Sequence, residues 1–404
     1  MRKLIRSLKE HQLPKNFTRA DWSAATRSAF APYVRRPRQL AKHIDSFHVE
    51  LRNLARIALF PEYTNLLSWC LRLHRRVLRI DRPGVYENLL KLFSNMQTSD
   101  DRWLNMFETS APLEPDAATQ DRAYQLLSMI DGLAEGCFKP QFQILFSFAQ
   151  RSLGEPWPGN VSKMDFGALV AEFPSILRNQ VPALLADPDL SISMNQWRNI
   201  AAHKTFRLVG PRTIEISYGK GVIQVRRLGL HRLRSVWHWL LKVHTAVRLA
   251  NTITYVEHMP ELYALGIPQI DLRLSTTLLN IAHGLSTVGF ESIGWQCVKG
   301  DGVLSVVDRL GRPARNALIH ASQLLDQLSA GILLDPSTRN RLDRAGVSLV
   351  LKDGSRFGSA LIPVQVADAF TLGKISLIEY MEQIAWIIEK PLNGQPNRSS
   401  QRGV

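Results

Sequence analysis

The sequence predicts a mainly α-helical protein with a helical N-terminal region, a central helical bundle that carries a small β insertion, and a C-terminal α+β domain. Apolar residues recur at helical spacing in "FHVELRNLARIALF" and "YENLLKLFSNM". Alternating, glycine-punctuated segments follow in "FRLVGPRTIEISYGKGVIQVRRL" and in "VSLVLKDGSRFGSALIPVQV", which is typical of short strands joined by turns. With 404 residues, 45% of them hydrophobic, the chain can bury more than one core.

The organisation along the chain follows from where these patterns change. The segment "SAPLEPD" contains two prolines that resist helix continuation, so it is interpreted as a linker. The pattern that follows predicts two helical stretches, or one helix kinked at Pro140. The expected regions are a basic helical region at 1–110, a helical domain at 116–255, an α+β domain at 270–390 and a disordered tail at 391–404.

Positive charge is concentrated at the start of the chain. Residues 1–82 hold 18 lysines and arginines against 6 acidic residues, which accounts for most of the net charge of +15. Interleaved aromatic residues would suit a polyanion, because phosphates pair with arginine and bases stack on aromatic rings. A solvated helical face explains the same pattern equally well. The candidate nucleic-acid-binding residues are Arg35, Arg36, Arg38, Arg75 and Arg76.

The segment "MNQWRNIAAHKTFRL" holds the first candidate catalytic set. A helix from about Gln196 would place Asn199 and His203 on one face, because residues four apart are neighbours on a helix. Arg198 lies about 140° from His203 around the helix, but its long side chain can reach that face. A histidine at a helix end is often purely structural, so the pattern alone leaves that alternative open.

An arginine and a histidine, without a carboxylate triad or a metal set, are sufficient groups for cleaving RNA through its own 2′-hydroxyl. The imidazole can act as general base or acid, since its unperturbed pKa is about 6.5. The guanidinium is always charged and can hold the scissile phosphate. Asn199 can orient either group or bind the ribose. This chemistry needs no cofactor and no metal.

The block "QWRNIAAHKTFRL", preceded by long helices and followed by a small β insertion and a closing helix, resembles the HEPN superfamily. The signature of that superfamily is an arginine followed, after four to six residues, by a histidine. The resemblance covers roughly residues 117–253. It implies a helical bundle that forms homodimers with the two motifs facing each other, and a metal-independent endoribonuclease that acts as a toxin or in anti-phage defence such as abortive infection.

Carried over residue by residue, the resemblance gives Arg198 the phosphate-stabilising role, Asn199 a supporting role and His203 the acid/base role. Glu135 resembles an acidic residue that some members place near the site. The implied partners are an RNA substrate, a second copy of the chain, and an antitoxin or other defence protein. Some members have lost catalysis, so the alternative is a non-catalytic module for dimerisation and nucleic-acid binding.

A second Arg-Asn-x-x-x-His block comprises Arg315, Asn316 and His320 in "PARNALIHASQLL". Strand-like segments with Gly-Asp-Gly and Asp-Gly turns flank it, which predicts an α+β setting rather than a helical bundle. Three interpretations stay open: a second catalytic site, a chance recurrence of the pattern, or an interaction surface.

Other functional classes lack support in the sequence. Charged residues or histidine interrupt every apolar stretch before the roughly 18 residues that a membrane span needs, so no membrane association is expected. The basic N-terminus has no apolar core of a secretory signal. Cys70, Cys137 and Cys297 lie far apart and form no metal or redox pair, so we expect a cytoplasmic protein.

Overall fold

The computed structural model describes residues 19–109, 118–219, 221–267 and 274–389. The predicted linker at 110–116 and the predicted tail at 391–404 lie outside these residues. The chain divides into two compact units: of the described residues, 23–267 belong to the first unit, and 19–22 and 274–389 belong to the second. The two units are described separately below.

The first unit is built from helices and one small sheet. Two of its helices are 28 residues long, and one of them, α11, buries side chains on all sides, as expected for a helix in the centre of a bundle. The α-helices in chain order are α1 (Arg19–Phe30), of which residues 23–30 belong to this unit, α2 (Pro37–Lys42), α3 (Ile44–Ile57), α4 (Pro61–Ile80), α5 (Arg82–Thr109), α6 (Thr119–Asp131), α7 (Lys139–Ser152), α8 (Phe166–Glu172), α9 (Ser175–Arg178), α10 (Met194–His203), α11 (Leu230–Glu257) and α12 (Met259–Ala264).

Helices from both sides of the predicted linker pack around α11. Its contacts include α3 and α4 from the N-terminal region as well as α6 and α7 from the central region. The described residues 23–109 and 118–267 therefore share one unit, whereas the sequence predicts two regions with a boundary at 110–116. Helical periodicity shows that a helix has an apolar face, but it does not show which other helix covers that face.

The predicted β insertion is a three-stranded antiparallel sheet. Its strands are β1 (Phe206–Gly210), β2 (Thr213–Tyr218) and β3 (Gln224–Gly229), in the order β1-β2-β3. Ile214 and Ile216 are fully buried on the face that packs towards α10. Phe206 makes an edge-to-face contact with Tyr124 on α6, with ring centroids 5.0 Å apart. The sheet thus packs against the helices through the face that carries Ile214 and Ile216.

The second unit has the predicted α+β composition. Its five-stranded sheet has the order β4-β5-β6-β7-β8, with β5 and β6 parallel and the other neighbours antiparallel. The parallel pair requires a crossover, which α14 and α15 supply. The elements are α13 (Leu274–Thr287), β4 (Phe290–Val298), β5 (Asp301–Asp308), α14 (Ala314–Ser322), α15 (Leu325–Leu334), β6 (Arg344–Val350), β7 (Arg356–Pro363), α16 (Val364–Thr371), α17 (Leu377–Glu382) and β8 (Ala385–Ile388).

No helix among the described residues is both long enough and apolar enough to cross a membrane.

Three buried histidines of the first unit, His74, His244 and His258, should make its stability depend on pH. Burial, followed by Arg248, lowers the pKa of His244 well below its usual value. Burial lowers the pKa of His74 to about 3, and burial together with Arg36 lowers that of His258 to about 4. The unfolded chain, with histidine pKa values of about 6.5, then binds more protons than the folded chain at mildly acid pH. The stability that comes from keeping these histidines uncharged in the folded chain is therefore fully present above pH 6.5, and it is lost as pH falls towards about 4.

We accordingly expect the free energy of unfolding to fall between pH 6.5 and pH 5. Each of these histidines should contribute up to about 1.4 kcal/mol to this fall for every pH unit. Urea denaturation at pH 7.5, 6 and 5 measures this, and His258→Asn should reduce the slope. A free energy of unfolding that stays constant over this range would contradict the prediction.

Candidate active site

Helix α10 is anchored from its inner side. Trp197 is fully buried, and its indole Nε1 donates a 2.8 Å hydrogen bond to Asp187 Oδ2. The Asp187 carboxylate also accepts hydrogen bonds from the backbone N–H groups of Leu190 and Ile192, at 2.7 and 3.1 Å. Because Ile200 is buried beside Trp197, the helix cannot rotate without breaking these contacts. The opposite face of α10 is left to solvent.

The predicted catalytic set occupies this exposed part of α10. Asn199 and His203 are both exposed, and they lie four residues apart on the same side of the helix. The Arg198 side chain keeps 32% of its surface exposed, and its NH1 group lies 3.3 Å from Asn199 Oδ1 as a hydrogen-bond donor. Arginine, asparagine and histidine are therefore all accessible to a ligand from outside.

Glu135 lies beside Arg198. Its Oε2 atom is 3.1 Å from Arg198 Nε, and its Oε1 atom is 2.6 Å from Lys139 Nζ. Asp131 Oδ1 is a more distant neighbour, 3.9 Å from Arg198 Nε. Both carboxylates make their closest approach at Nε, which leaves donors at the outer end of the guanidinium for an anion. The resemblance suggested Glu135, and the structure places its carboxylate in contact with the arginine.

The backbone that carries Glu135 is not an ordinary α-helix. Between α6 and α7 the chain forms a π-helical segment, Gly132–Phe138. The carbonyl oxygen of Cys137 in this segment accepts a 2.6 Å hydrogen bond from the buried Ser99 hydroxyl on α5, and Ser99 Oγ in turn accepts one from Gln141. Such π-helical segments inside helices occur frequently at functional sites. Glu135 lies in this segment, so the π-helical backbone orients its carboxylate towards the Arg198 guanidinium.

Helix α10 ends in a turn that joins the site to the β insertion. Lys204 adopts the left-handed conformation, with φ 52° and ψ 40°, and its backbone N–H donates to Ile200 O. Its Nζ atom lies 3.2 Å from Ser128 Oγ. Burial lowers the pKa of Lys204, although Asp131 acts in the opposite direction. The chain thus passes from His203 into β1 through a fixed turn.

Two of the five candidate N-terminal arginines form ion pairs within the fold. Arg36 pairs with Glu261 at 2.5 Å and donates to the carbonyl of Glu257. Arg75 lies 3.4 Å from the Glu257 carboxylate and keeps only 15% of its side-chain surface exposed. These two arginines hold the N-terminal helices against the end of α11, which the sequence could not show. Arg35, Arg38 and Arg76 are exposed, and their binding to nucleic acid stays a prediction.

The second Arg-Asn-x-x-x-His block has different surroundings. His320 stacks on Phe290, with ring centroids 5.9 Å apart and an interplanar angle of 22°. Arg312 covers the same Phe290 ring at 4.6 Å, and burial followed by Arg312 lowers the pKa of His320. Arg315 and Asn316 are exposed on α14. The histidine of this block therefore contributes to packing between α14 and β4.

Sequence reasoning missed three residues that support the candidate site. They are Ser99, Asp131 and Lys139, which hold the π-helical segment or surround its glutamate. The spacing of Asp131, Glu135 and Lys139, four residues apart, was a signal for one charged stripe. Ser99 had no signal, because its role depends on contact between distant segments.

No group of three or more histidine, cysteine, aspartate or glutamate residues suited to a metal ion occurs within the described part of the chain. No family model, no curated protein and no solved structure matches this chain. The argument for function therefore depends on the chemistry and arrangement of the residues around α10.

Proposed function

We propose that the first unit is a metal-independent endoribonuclease of the HEPN type that cleaves RNA through its 2′-hydroxyl, and that the protein acts as a cytoplasmic toxin or anti-phage effector. The observation that carries the proposal is the exposed set Arg198, Asn199 and His203 on a firmly anchored helix, with Glu135 holding the arginine. These are groups that bind a phosphate and transfer a proton.

In the proposed reaction the imidazole of His203 accepts the proton of a ribose 2′-hydroxyl. The 2′-oxygen attacks the neighbouring phosphorus, the bond from phosphorus to the 5′-oxygen breaks, and the departing oxygen takes up a proton. The products are a 2′,3′-cyclic phosphate and a 5′-hydroxyl. Arg198 stabilises the charge that develops on the phosphate, and Asn199 positions either the arginine or the ribose.

One copy of the motif offers a single arginine and a single histidine. Activating the 2′-hydroxyl, holding the phosphate and protonating the leaving oxygen together require more groups than these. We therefore propose a two-fold homodimer in which the motifs of both copies line one cleft. Sedimentation velocity at micromolar concentration measures the oligomeric state, and a monomer that still cleaves RNA would contradict this part of the proposal.

The test of the proposal is cleavage of matched single-stranded RNA and DNA in the presence of EDTA. We expect the protein to cut the RNA and leave the DNA intact, because DNA lacks the attacking hydroxyl. Cleavage of both, or cleavage that EDTA abolishes, would contradict the mechanism. Binding of RNA without cleavage would instead favour the non-catalytic module.

Replacing Glu135 tests whether it acts as a positioning residue. Glu135→Gln keeps the shape of the side chain but removes the charge that faces Arg198 at 3.1 Å. We expect kcat to fall roughly ten-fold because the guanidinium is held less firmly. The melting temperature should change little, since a half-exposed ion pair contributes at most about 1 kcal/mol. An unchanged kcat would contradict the positioning role.

A further inference from the structure

The outer face of the β insertion carries a row of three charged residues. Arg207, Glu215 and Arg227 lie directly opposite one another on β1, β2 and β3. Side chains that pair in register across neighbouring strands point to the same face of a sheet. This row therefore lies on the face opposite to Ile214 and Ile216, which are buried against the helices.

Glu215 holds both arginines in place. Arg207 Nε lies 2.6 Å from Glu215 Oε1, and Arg227 Nε lies 2.9 Å from Glu215 Oε2. Hydrogen bonds from Arg227 and Arg207 lower the pKa of Glu215. The carboxylate side chain is only 9% exposed, whereas the arginine side chains are 73% and 70% exposed. What the row presents to solvent is therefore two guanidinium groups, oriented by a carboxylate that they cover.

Each guanidinium keeps donors for a second ligand. An arginine has five N–H donors in a planar fork that matches phosphate oxygens. Arg227 contacts Glu215 through its Nε group, and Arg207 contacts a single Glu215 oxygen through Nε and NH2. Two fixed forks on one face, with a net positive charge, suit two phosphates of one backbone better than a single small anion.

The row lies close to the candidate active site along the chain. Just before the start of β1, Ser217 N donates to Thr205 O at 3.0 Å and Thr205 Oγ1 donates to Ser217 O at 2.9 Å, so the strand pairing extends to Thr205. Thr205 is only two residues after His203. Four peptide units connect the α-carbons of His203 and Arg207, a span of at most about 14 Å. At the same end of the sheet, directly after β2, Gly219 N donates to Gln196 on α10.

We propose that this face, defined by Arg207, Glu215 and Arg227, is the surface that holds the sugar-phosphate backbone of single-stranded RNA beside His203. The inference depends on the proposed ribonuclease function for its choice of RNA as the occupant. Charge complementarity and continuity with α10 support it. It places substrate holding on the β insertion, in addition to the basic N-terminal helices that the sequence suggested.

The test measures RNA binding separately from cleavage. All variants carry His203→Ala, so that labelled single-stranded RNA stays intact during fluorescence-anisotropy titrations. Replacing all three residues of the row with glutamine avoids leaving Glu215 without its partners. The matched control is Arg309→Gln in the second unit, where Arg309 also pairs with a glutamate and is 58% exposed.

We expect the triple variant to bind more weakly and with a flatter salt dependence. Two phosphate contacts on a single strand contribute about 1.4 to the slope of log K against log salt concentration. If the parent and the variant bind equally at 1 M salt, loss of these two contacts makes binding roughly 25-fold weaker at 0.1 M salt. Circular dichroism checks that the triple variant folds. The double variant Arg207→Lys with Arg227→Lys keeps the positive charges but loses the planar guanidinium groups, and its RNA affinity should lie between those of the parent and the triple variant. The control should bind as tightly as its parent.

Unchanged RNA affinity and salt slope in the folded triple variant would overturn the inference, as would failure of the parent protein to bind RNA at all. Cleavage by the protein with His203 intact decides the ribonuclease proposal independently. If RNA binding depends on the row but no cleavage occurs, the binding surface stands and the catalytic proposal fails.

Discussion

His203→Ala should lower the rate of RNA cleavage by about 10²- to 10⁴-fold, the usual contribution of a general acid or base. The exposed imidazole at the end of α10 is the only group of the motif that can exchange a proton with the ribose, because arginine stays protonated and an amide does not titrate. The substitution removes an exposed side chain, so folding should be preserved. Single-turnover cleavage of a labelled RNA measures the effect.

The matched control is His320→Ala, which removes the histidine of the second Arg-Asn-x-x-x-His block. Since that imidazole stacks on Phe290, its loss should lower stability by about 1 kcal/mol and leave most of the cleavage rate. Equal losses of activity from both substitutions would show that the second block takes part in catalysis.

Arg248→Ala should destabilise the first unit by about 3–5 kcal/mol. Arg248 NH1 lies 2.8 and 2.7 Å from the two oxygens of Glu50, and Nε lies 2.8 Å from Asp100 Oδ1. Burial alone would lower the pKa of Arg248, but Asp100 and Glu50 raise it above its usual value. Removing the arginine leaves the 9% exposed Glu50 without its counter-charge between α3 and α11.

Urea denaturation at pH 7.5 measures this loss. The control is Arg232→Ala, which breaks the ion pair between Arg232 and Asp189 at the surface, where both side chains are more than 40% exposed. A cost below about 1 kcal/mol is expected there. Comparable losses in the two variants would contradict the interpretation that α11 is held to the N-terminal helices by this buried group of charges.

The main elements of the fold were predictable from local patterns. The structure has helices, a β insertion and strands where the apolar spacing in the sequence predicts them: helices in the N-terminal region, the β insertion after α10, and strands on both sides of α14. The packing partners were not predictable from those patterns. The N-terminal helices share one unit with α11, and Arg36 and Arg75 bind Glu261 and Glu257 there, because an amphipathic pattern does not identify the surface that covers it.

The candidate site was only partly predictable. The spacing of Asn199 and His203 on one helix face follows from helix geometry, and the structure has it. The approach of Glu135 to Arg198 depends on the π-helical segment, where the sequence suggested a pair of helices or a kink at Pro140. A π-helical segment has no period of its own in the sequence, and the contact of Ser99 with Cys137 that accompanies it joins residues 38 positions apart.

The chemical nature of the cleaved ends tests the central claim most directly. A labelled RNA is first digested to locate its main cut, and the same oligonucleotide is then made with a single 2′-deoxyribose on the 5′ side of that bond. We expect mass spectrometry of the first digest to show a 2′,3′-cyclic phosphate or its opened 3′-phosphate beside a 5′-hydroxyl, and the substituted strand to stay uncut at that bond. A 5′-phosphate beside a 3′-hydroxyl, or cleavage of the substituted bond, would contradict the account.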